Sequence, residues 1–252
     1  MPIKPKSALI VVDLQNDFLP PSGSLAVQGG REIIQPITDL LVSEDWDAIV
    51  ATRDFHPKDH FSFASNWDQA PFSSKQFTHP LQVIDPNTQK VGTKTQILWP
   101  DHCVQETEGS ELTDTFANGF YEMMAKEKKI SSSSSSSSNS GIRDTIPMVV
   151  EVKKGYLVDR EYYSAFEDTW GLHHTELHNF LTKRGIVNIY LVGLAYDFCV
   201  LNTAISGTKL NYNTVVIKDL SRSVYPDKLE ETDAVYRENG IQIITCEDLK
   251  KN

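Results

Sequence analysis

Six short runs of apolar, often β-branched residues recur along the chain, and most lack the alternation of apolar and polar positions that marks a half-exposed strand. They lie at residues 7–13, 48–54, 148–152, 188–195, 214–218 and 241–245. Strands of this kind are buried on both faces, which is typical of parallel sheets. The pattern therefore predicts six parallel strands.

Stretches with helical periodicity separate most of these strands. We predict helices at about residues 31–41, 110–120, 172–183, 200–210 and 228–238. Glycine is typical of helix C-terminal ends; Gly185 and Gly240 directly precede predicted strands, and Gly207 lies near the end of the fourth helix. This alternation predicts an α/β fold, a doubly wound six-stranded parallel sheet with helices on both faces in a Rossmann-like three-layer arrangement.

Two segments interrupt the alternation. Residues 55–107 hold most of the histidines, many prolines and aromatics, and no helical period, and so long an irregular stretch in a compact domain is usually functional. Residues 131–138 are all serine, a low-complexity composition typical of a solvated loop. We therefore predict a single domain spanning residues 1–252, with a Ser-rich flexible insertion at about 129–142.

Composition narrows the expected partners. The chain has 252 residues, and 24 Lys and Arg against 34 Asp and Glu give a net charge of −10, so we expect no nucleic acid partner. The longest apolar run covers residues 8–12. It is far shorter than the ~20 residues of a membrane helix, and it is also too short for the apolar core of a secretory signal. We expect no membrane partner and a cytoplasmic location; the nucleus, the peroxisome and a homo-oligomer stay open.

The cysteines do not form a disulfide pattern. Cys103, Cys199 and Cys246 are odd in number and widely spaced, which disfavours both a disulfide framework and a Cys-rich zinc site. A cysteine taken without its context is most often a small buried hydrophobic residue. Cys199 is distinguished by its surroundings in the sequence.

Chemically active residues stand where the predicted strands end. Ligands of open α/β sheets bind beyond the carboxyl ends of the strands, which here carry Asp13, Asp54, Lys154 and the turn from Ala195 to Cys199. Cys199 opens a predicted helix, so the helix dipole and a nearby Lys154 predict a lowered thiol pKa. Asp13 could accept the thiol proton, and backbone N–H groups around Ala195 and Cys199 could stabilise an oxyanion.

A second set of residues suits a metal ion. Asp54 and His56 stand two residues apart, and His102 lies in the same irregular region. Two histidines and one aspartate are typical ligands of zinc, although another divalent metal would also fit. His60 competes as a ligand, but Pro57 disfavours a helix that would pair it with His56. His174 and His178 on a predicted helix form either a second ligand pair or a polar helix face.

Taken together, the motifs resemble those of one enzyme family. They are residues 10–18 (IVVDLQNDF), 52–57 (TRDFHP), 97–104 (ILWPDHCV), 153–155 (KKG) with 159–166 (DREYYSAF), and 192–195 (VGLA) leading to Cys199-Val200. In order and spacing this set is similar to that of the nicotinamidases, or pyrazinamidases, of the isochorismatase-like cysteine hydrolase superfamily, in their fungal form.

The resemblance implies hydrolysis of nicotinamide to nicotinate and ammonia in NAD salvage, with pyrazinamide as a second substrate. It implies these roles: Asp13 as acid/base, Lys154 as its lysine partner, Cys199 as nucleophile, a cis peptide at Leu194-Ala195 beside the oxyanion, zinc ligands Asp54, His56 and His102, and ring contacts from Phe18, Trp99 and Tyr163. Phe198 departs from the pattern, since the family usually has tyrosine before the nucleophile.

Three other functions stay open at this point. One is an amidohydrolase of the same superfamily that acts on a carbamoyl or ureido group. Another is a nucleotide-binding oxidoreductase, although residues 13–15 (DLQ) stand where a G-x-G-x-x-G turn would follow the first strand. The third is a metal-binding protein without catalytic activity.

Overall fold

The computed structural model describes residues 4–84, 86–133 and 147–251. Within them, six parallel strands form the main sheet: β1 (Lys6–Val12), β2 (Ala48–Asp54), β5 (Met148–Lys154), β6 (Ile186–Leu194), β7 (Asn213–Arg222) and β8 (Gln242–Ile244). Each predicted strand has a counterpart here, with ends that differ by a few residues. The α/β prediction of a six-stranded parallel sheet is therefore confirmed.

The order of the strands determines which of their ends become neighbours. The sheet runs β5-β2-β1-β6-β7-β8, so β1 lies between β2 and β6. Asp54 is paired with Lys154 across β2 and β5, and Val12 with Gly193 across β1 and β6. Because all strands are parallel, the residues at these four carboxyl ends lie side by side at one edge of the sheet.

Helices cover both faces of the sheet. The described part of the chain contains α1 (Ile34–Ser43), α2 (Asp114–Ser133), α3 (Leu177–Arg184), α4 (Cys199–Lys209), α5 (Leu229–Glu238) and α6 (Cys246–Leu249). Apolar side chains of α1, α2 and α6 join one core cluster, and those of α3, α4 and α5 join the other. None of the helices in these residues combines the length and apolar character needed to cross a membrane.

The unbroken apolar run at residues 8–12 of β1 follows from burial on both faces of the sheet. Leu9 and Val11 belong to the core on one face of the sheet, whereas Ala8, Ile10 and Val12 belong to the core on the other. All five are fully buried. A strand in the middle of a three-layer fold has no solvent-exposed face, so polar alternation would bury unpaired polar groups.

The irregular segment at residues 55–107 has more structure than its sequence predicts. It contains an antiparallel hairpin of β3 (Ser74–Thr78) and β4 (Thr93–Ile97). Most residues of these strands are polar and at least partly exposed, so no apolar run marks them. Two isolated bridges, between Phe63 and Trp99 and between His56 and Val104, connect parts of this segment with each other.

The predicted helix at 110–120 is wrong at both ends. Ser110 closes a 3₁₀ turn, Glu108–Ser110, and α2 begins only at Asp114. The helix then continues to Ser133, since residues 122–129 are almost all strong helix formers. The predicted insertion at 129–142 is therefore wrong at its start, because residues 129–133 are helical; its remainder, from 134 on, lies outside the described residues.

The predicted helix at 172–183 starts too early. Residues 172–176 are not helical, because the carboxylate of Asp168 accepts hydrogen bonds from the N–H groups of Trp170, Leu172 and His173. The helix α3 runs from Leu177 to Arg184 and ends at Gly185, whose φ of 71° lies in the left-handed region. The glycine therefore acts as the predicted helix stop.

Candidate active site

Asp13 is held in a tight bend directly after β1. Its N–H donates to Thr52 Oγ1 over 3.1 Å, and the Thr52 hydroxyl donates back to Asp13 Oδ1 over 2.6 Å. On the neighbouring strand, Gly193 has a φ of 111°, and a Cβ there would lie 2.1 Å from the Val12 carbonyl oxygen. Only glycine allows β1 and β6 to approach so closely here.

Lys154 connects the predicted catalytic residues. Its Nζ lies 2.8 Å from Asp13 Oδ2, 2.5 Å from Asp54 Oδ1 and 3.5 Å from Cys199 Sγ. It also donates to the Tyr162 carbonyl over 3.1 Å. The side chain is fully buried. The structure thus brings Asp13, Lys154 and Cys199 together with Asp54, which the sequence placed at the same edge of the sheet and assigned to a metal ion.

The charges in this cluster oppose the cost of burial. Burial disfavours the Lys154 ammonium, but the carboxylates of Asp13 and Asp54 outweigh it and hold the pKa of the lysine well above its usual range. Burial also disfavours the Asp54 carboxylate, yet Lys154 keeps the pKa of that carboxyl below its ordinary value. At Asp13 burial prevails and raises the pKa, with Lys154 acting against it.

The prediction of a lowered Cys199 pKa is wrong. Cys199 does open α4, and Lys154 does favour the thiolate, but burial raises the thiol pKa well above its ordinary value and the carboxylates of Asp13 and Asp54 raise it further. The sequence shows which charges lie near the thiol but not how deeply it is buried. In the free protein the thiol therefore keeps its proton, which must leave as sulfur attacks.

The turn before Cys199 has an unusual backbone. The peptide bond between Leu194 and Ala195 is cis, as the resemblance implied. The Ala195 carbonyl accepts hydrogen bonds from the N–H groups of Phe198 (3.0 Å) and Val200 (3.1 Å). Ala195 and Cys199 both line a small pocket at this edge of the sheet, so the backbone of the turn forms one wall of that pocket.

Asp54, His56 and His102 form a compact donor set. Their ligand atoms lie within 4.8 Å of one another, and all three residues are buried. His56 Nδ1 lies 2.9 Å from the Gly155 carbonyl oxygen, and His102 Nδ1 lies 2.8 Å from that of Pro100. A carbonyl can only accept, so each Nδ1 carries a proton and each Nε2 is left to face Asp54 Oδ2, at 3.6 and 4.0 Å.

This donor set fits a divalent cation. His56 Nε2 is a buried polar atom without a hydrogen-bond partner among the described residues. Burial and the neighbouring His56 lower the pKa of His102 to about 3, which keeps its imidazole neutral, while at His56 the Asp54 carboxylate outweighs burial and raises the pKa. Two imidazoles and a carboxylate that point at one spot are a typical zinc site with positions left for other ligands.

The other histidines considered as ligands have different contacts. His60 uses both ring nitrogens, with Ser62 Oγ at 2.8 Å and the Arg160 carbonyl at 3.1 Å. His174 lies before the start of α3, so it does not share a helix with His178. His178 Nδ1 lies 2.9 Å from the Tyr212 hydroxyl. The second ligand pair is therefore not formed.

A small pocket joins the cysteine to the donor set. It contains about 30 Å³ of free space. The ring contacts implied by the resemblance all line it: Phe18, Trp99 and Tyr163. Trp99 Nε1 donates to the Tyr163 hydroxyl over 3.1 Å, which fixes the two rings relative to each other. Aromatic walls of this kind suit a flat ring.

Sequence reasoning missed four residues of the pocket wall. Leu25, Glu161, Phe198 and Val224 also line it. Glu161 stands in a quoted motif, which is the one signal that could have singled it out. Phe198 packs with its ring centroid 5.0 Å from Trp99 and 5.6 Å from Tyr163, so the residue that departs from the family pattern belongs to the aromatic wall.

Comparisons with known proteins agree with this geometry. A model of the isochorismatase domain matches residues 126–248. The nicotinamidase of Saccharomyces cerevisiae is 41% identical over 222 residues, which are 87% of this chain and 89% of that protein. The chain belongs to the nicotinamidase family. The nicotinamidase/pyrazinamidase of Mycobacterium tuberculosis is 30% identical over 87% of this chain and 88% of its own length.

Solved structures give the same family. The yeast nicotinamidase structure matches with a TM-score of 0.76 and 37% identity, covering 94% of this chain and 99% of that one. The pyrazinamidase of Pyrococcus horikoshii in complex with zinc matches with a TM-score of 0.64 and 26% identity, covering 96% and 99%. Membership of the nicotinamidase family, which the motifs predicted, is therefore confirmed, and a nucleotide-binding oxidoreductase is ruled out.

Proposed function

We propose that this chain hydrolyses nicotinamide to nicotinate and ammonia, with Cys199 as the nucleophile. The observation that carries the proposal is the single contact cluster around Lys154 Nζ, which reaches Asp13, Asp54 and Cys199 Sγ within 3.5 Å. This cluster opens into the same pocket as His102 and the aromatic wall. A cysteine, a proton acceptor and a ring-shaped recess are what cleavage of a heteroaromatic amide requires.

Asp13 is the base in this proposal. The polar atoms of Asp13, Asp54 and Cys199 lie within 4.8 Å of one another, so the Asp13 carboxylate is within reach of the thiol proton. As sulfur bonds to the carboxamide carbon, Asp13 takes this proton and then passes it to the amide nitrogen, which leaves as ammonia. Asp13 then takes a proton from the water that attacks the thioester carbon; the C–S bond breaks, the acid leaves, and Asp13 returns the proton to the Cys199 sulfur.

Lys154 and backbone N–H groups stabilise the negative charges that are present or form in these steps. The ammonium of Lys154 compensates Asp13 and Asp54 and favours the thiolate as it forms. The carbonyl oxygen of the substrate becomes negative when sulfur attacks, and the N–H groups of Ala195 and Cys199 are the backbone donors next to the nucleophile. Donors that are fixed before the reaction stabilise such an oxyanion without reorganisation.

Asp54, His56 and His102 would hold a zinc ion, or another divalent metal, in the active protein. When bound, the ion supplies a Lewis acid to which the ring nitrogen of nicotinamide can coordinate, so that it orients the ring. Phe18, Trp99 and Tyr163 line the pocket and would pack against the ring. The pocket therefore favours a flat amide that carries a ring nitrogen.

A panel of amides tests the proposal. Nicotinamide and pyrazinamide both carry a ring nitrogen, benzamide has the same ring size and carboxamide without it, and a carbamoyl amino acid represents the rival amidohydrolase. We expect ammonia release from the first two, little from benzamide and none from the carbamoyl compound. Chelation should abolish the activity on nicotinamide, and added zinc should restore it. Turnover of the carbamoyl compound alone would favour the rival.

A further inference from the structure

We propose that Tyr236, on α5, is a positioning residue for the backbone turn that carries Ala195 and Cys199. Its hydroxyl donates a hydrogen bond to the Tyr196 carbonyl oxygen over 2.7 Å. Tyr236 is fully buried and does not line the pocket, so it acts through the turn and not on the substrate. The proposal rests on the proposed function, since it concerns the same nucleophile.

The turn is attached to β7 by hydrogen bonds on one side. The Tyr196 N–H donates to the Arg222 carbonyl over 2.8 Å. The Asp197 carboxylate accepts from the N–H groups of Val224 and Tyr225, at 2.9 and 2.8 Å. These bonds tie the turn to the end of the neighbouring strand, but they do not reach the Tyr196 carbonyl.

Helix α5 attaches the turn at two further points. Tyr236 holds the Tyr196 carbonyl, and Asp233, about one helical turn earlier, accepts from the Tyr196 hydroxyl over 2.7 Å. The Asp233 carboxylate is itself fixed by Lys218 Nζ at 2.6 Å. The rings of Tyr196 and Tyr236 pack with their centroids 4.7 Å apart. Helix α5 therefore fixes both the backbone carbonyl and the side-chain hydroxyl of Tyr196.

This attachment matters because Tyr196 lies next to Ala195 and three residues before Cys199. A buried carbonyl that loses its donor seeks another partner, and the peptide plane rotates or shifts to find one. Misplacement by about 1 Å can cost on the order of a hundredfold in rate. Removal of the Tyr236 hydroxyl should therefore impair the transition state more than binding of the substrate.

Tyr236→Phe tests this, with Tyr212→Phe as the matched control. Tyr212 is also buried, and its hydroxyl bonds to His178, away from the pocket. For Tyr236→Phe we expect kcat for nicotinamide to fall roughly tenfold, the size of one lost buried hydrogen bond, while KM and bound zinc stay within about twofold. The control should keep wild-type kcat.

The inhibitor nicotinaldehyde supplies a readout that a merely structural role would not move. When the Cys199 sulfur bonds to an aldehyde carbon, Asp13 takes the thiol proton and the π pair of the carbonyl moves to its oxygen. The oxygen becomes an oxyanion beside the turn, and no group leaves. We expect the inhibition constant of Tyr236→Phe to rise by the same factor by which kcat falls. The yeast nicotinamidase has been solved with this compound, so it is a suitable probe for the family.

The outcomes separate this proposal from the proposed function. A wild-type protein that releases no ammonia from nicotinamide overturns the function. An active wild type with a Tyr236→Phe variant that keeps kcat and aldehyde inhibition overturns the positioning role, as does an equal loss in Tyr212→Phe. If Tyr236→Phe does not fold, Asp233→Asn is the second variant, because it weakens the other attachment of Tyr196. It should show the same fall in kcat and the same rise in the inhibition constant. Unchanged kcat and inhibition in this variant would also contradict the proposal.

Discussion

The ammonium group of Lys154 lies between the carboxylates of Asp13 and Asp54 and faces the Cys199 thiol, and all four side chains are buried. A single positive charge thus compensates two carboxyl groups that would otherwise repel each other in a low-dielectric environment. The cluster is stable only as a whole, because removal of one partner of a buried ion pair leaves the other charge uncompensated.

Lys154→Met should therefore lose both activity and stability. The substitution keeps the unbranched chain as far as Cε and removes the charged nitrogen, so we expect the free energy of unfolding to fall by about 3–5 kcal/mol. Denaturant unfolding measures it. Lys153→Met is the control, since the neighbouring Lys153 lies over the Phe55 ring and outside the cluster. Equal unfolding midpoints for the two variants would contradict the assigned charge balance.

Asp233 gives a dependence of stability on pH. Burial works against its carboxylate, but hydrogen bonds from Lys218 and Tyr196 hold its pKa below the ordinary 3.8. A carboxyl whose pKa is lower in the folded state stabilises the fold above pH 3.8, and this contribution is lost as the pH falls through the folded-state pKa.

We thus expect Asp233→Asn to be less stable than the wild type by about 1–3 kcal/mol near neutral pH, with a difference that narrows below pH 3.8. Denaturant unfolding over a pH series measures the difference, and Asp59→Asn at an exposed position controls for the loss of one charge. A difference that stays constant or widens in acid would show that the Asp233 carboxylate is not stabilised in this way.

The sequence predicts residues of the site well where they follow strand ends. Asp13, Asp54 and Lys154 could be singled out because each ends or follows an apolar run. Val224 could not, since it reaches the pocket only because β7 extends to Arg222, four residues beyond its predicted end at 218. The predicted direction of the Cys199 pKa shift was wrong for a related reason, because the depth at which the thiol is buried depends on packing from distant parts of the chain.

At the scale of elements, the close approach of β1 and β6 places Asp13 beside the cysteine turn. Gly193→Ala should be poorly tolerated, because its Cβ would lie 2.1 Å from the Val12 carbonyl oxygen and its φ is 111°. We expect a loss of more than about 3 kcal/mol, or insoluble protein, with solubility and thermal unfolding as the measurements.

Gly185→Ala is the matched control for this substitution. Gly185 also has a positive φ, of 71°, but a Cβ there would meet nothing within 4 Å. Only backbone strain is added, at about 1 kcal/mol. Similar losses for the two variants would mean that the contact between β1 and β6 is not the reason for a glycine at 193.

The positions of deeply buried elements could be predicted from the sequence more closely than those of exposed elements. β1 and β2 each contain an unbroken apolar run, residues 8–12 and 48–51, because both of their faces are covered, and their positions were predicted closely. The β3–β4 hairpin is partly exposed and polar, so its strands resemble loop sequence. The prediction ended α2 too early. Residues 121–129 carry no stop signal that distinguishes them from the rest of the helix, so the helix continues through them.

At the scale of the whole molecule, the site lies at the carboxyl edge of the sheet, whereas Pro147, where the described chain resumes after residue 133, lies at the opposite edge. Pro147 directly precedes Met148, the first residue of β5, and Lys154 is the last. A seven-residue strand is about 20 Å long, which separates this junction from the lysine. The order of the strands, which creates the site, could not be deduced from the sequence pattern alone.

Replacement of residues 134–140 by a Gly/Ser linker of equal length should therefore leave kcat/KM for nicotinamide unchanged within about twofold. The measurement is steady-state ammonia release, with thermal unfolding as the control for an altered fold. A tenfold loss at unchanged thermal stability would instead connect the tract to catalysis.

Ammonia release from nicotinamide by Cys199→Ala tests the central claim most directly, with Cys246→Ala as the control cysteine outside the pocket. We expect Cys199→Ala to lose at least about a thousandfold in kcat, as removal of a nucleophile does in other hydrolases, with the fold and the content of bound divalent metal unchanged. Cys246→Ala should match the wild type. A Cys199→Ala protein that keeps a substantial part of the wild-type rate would contradict a cysteine mechanism in this pocket.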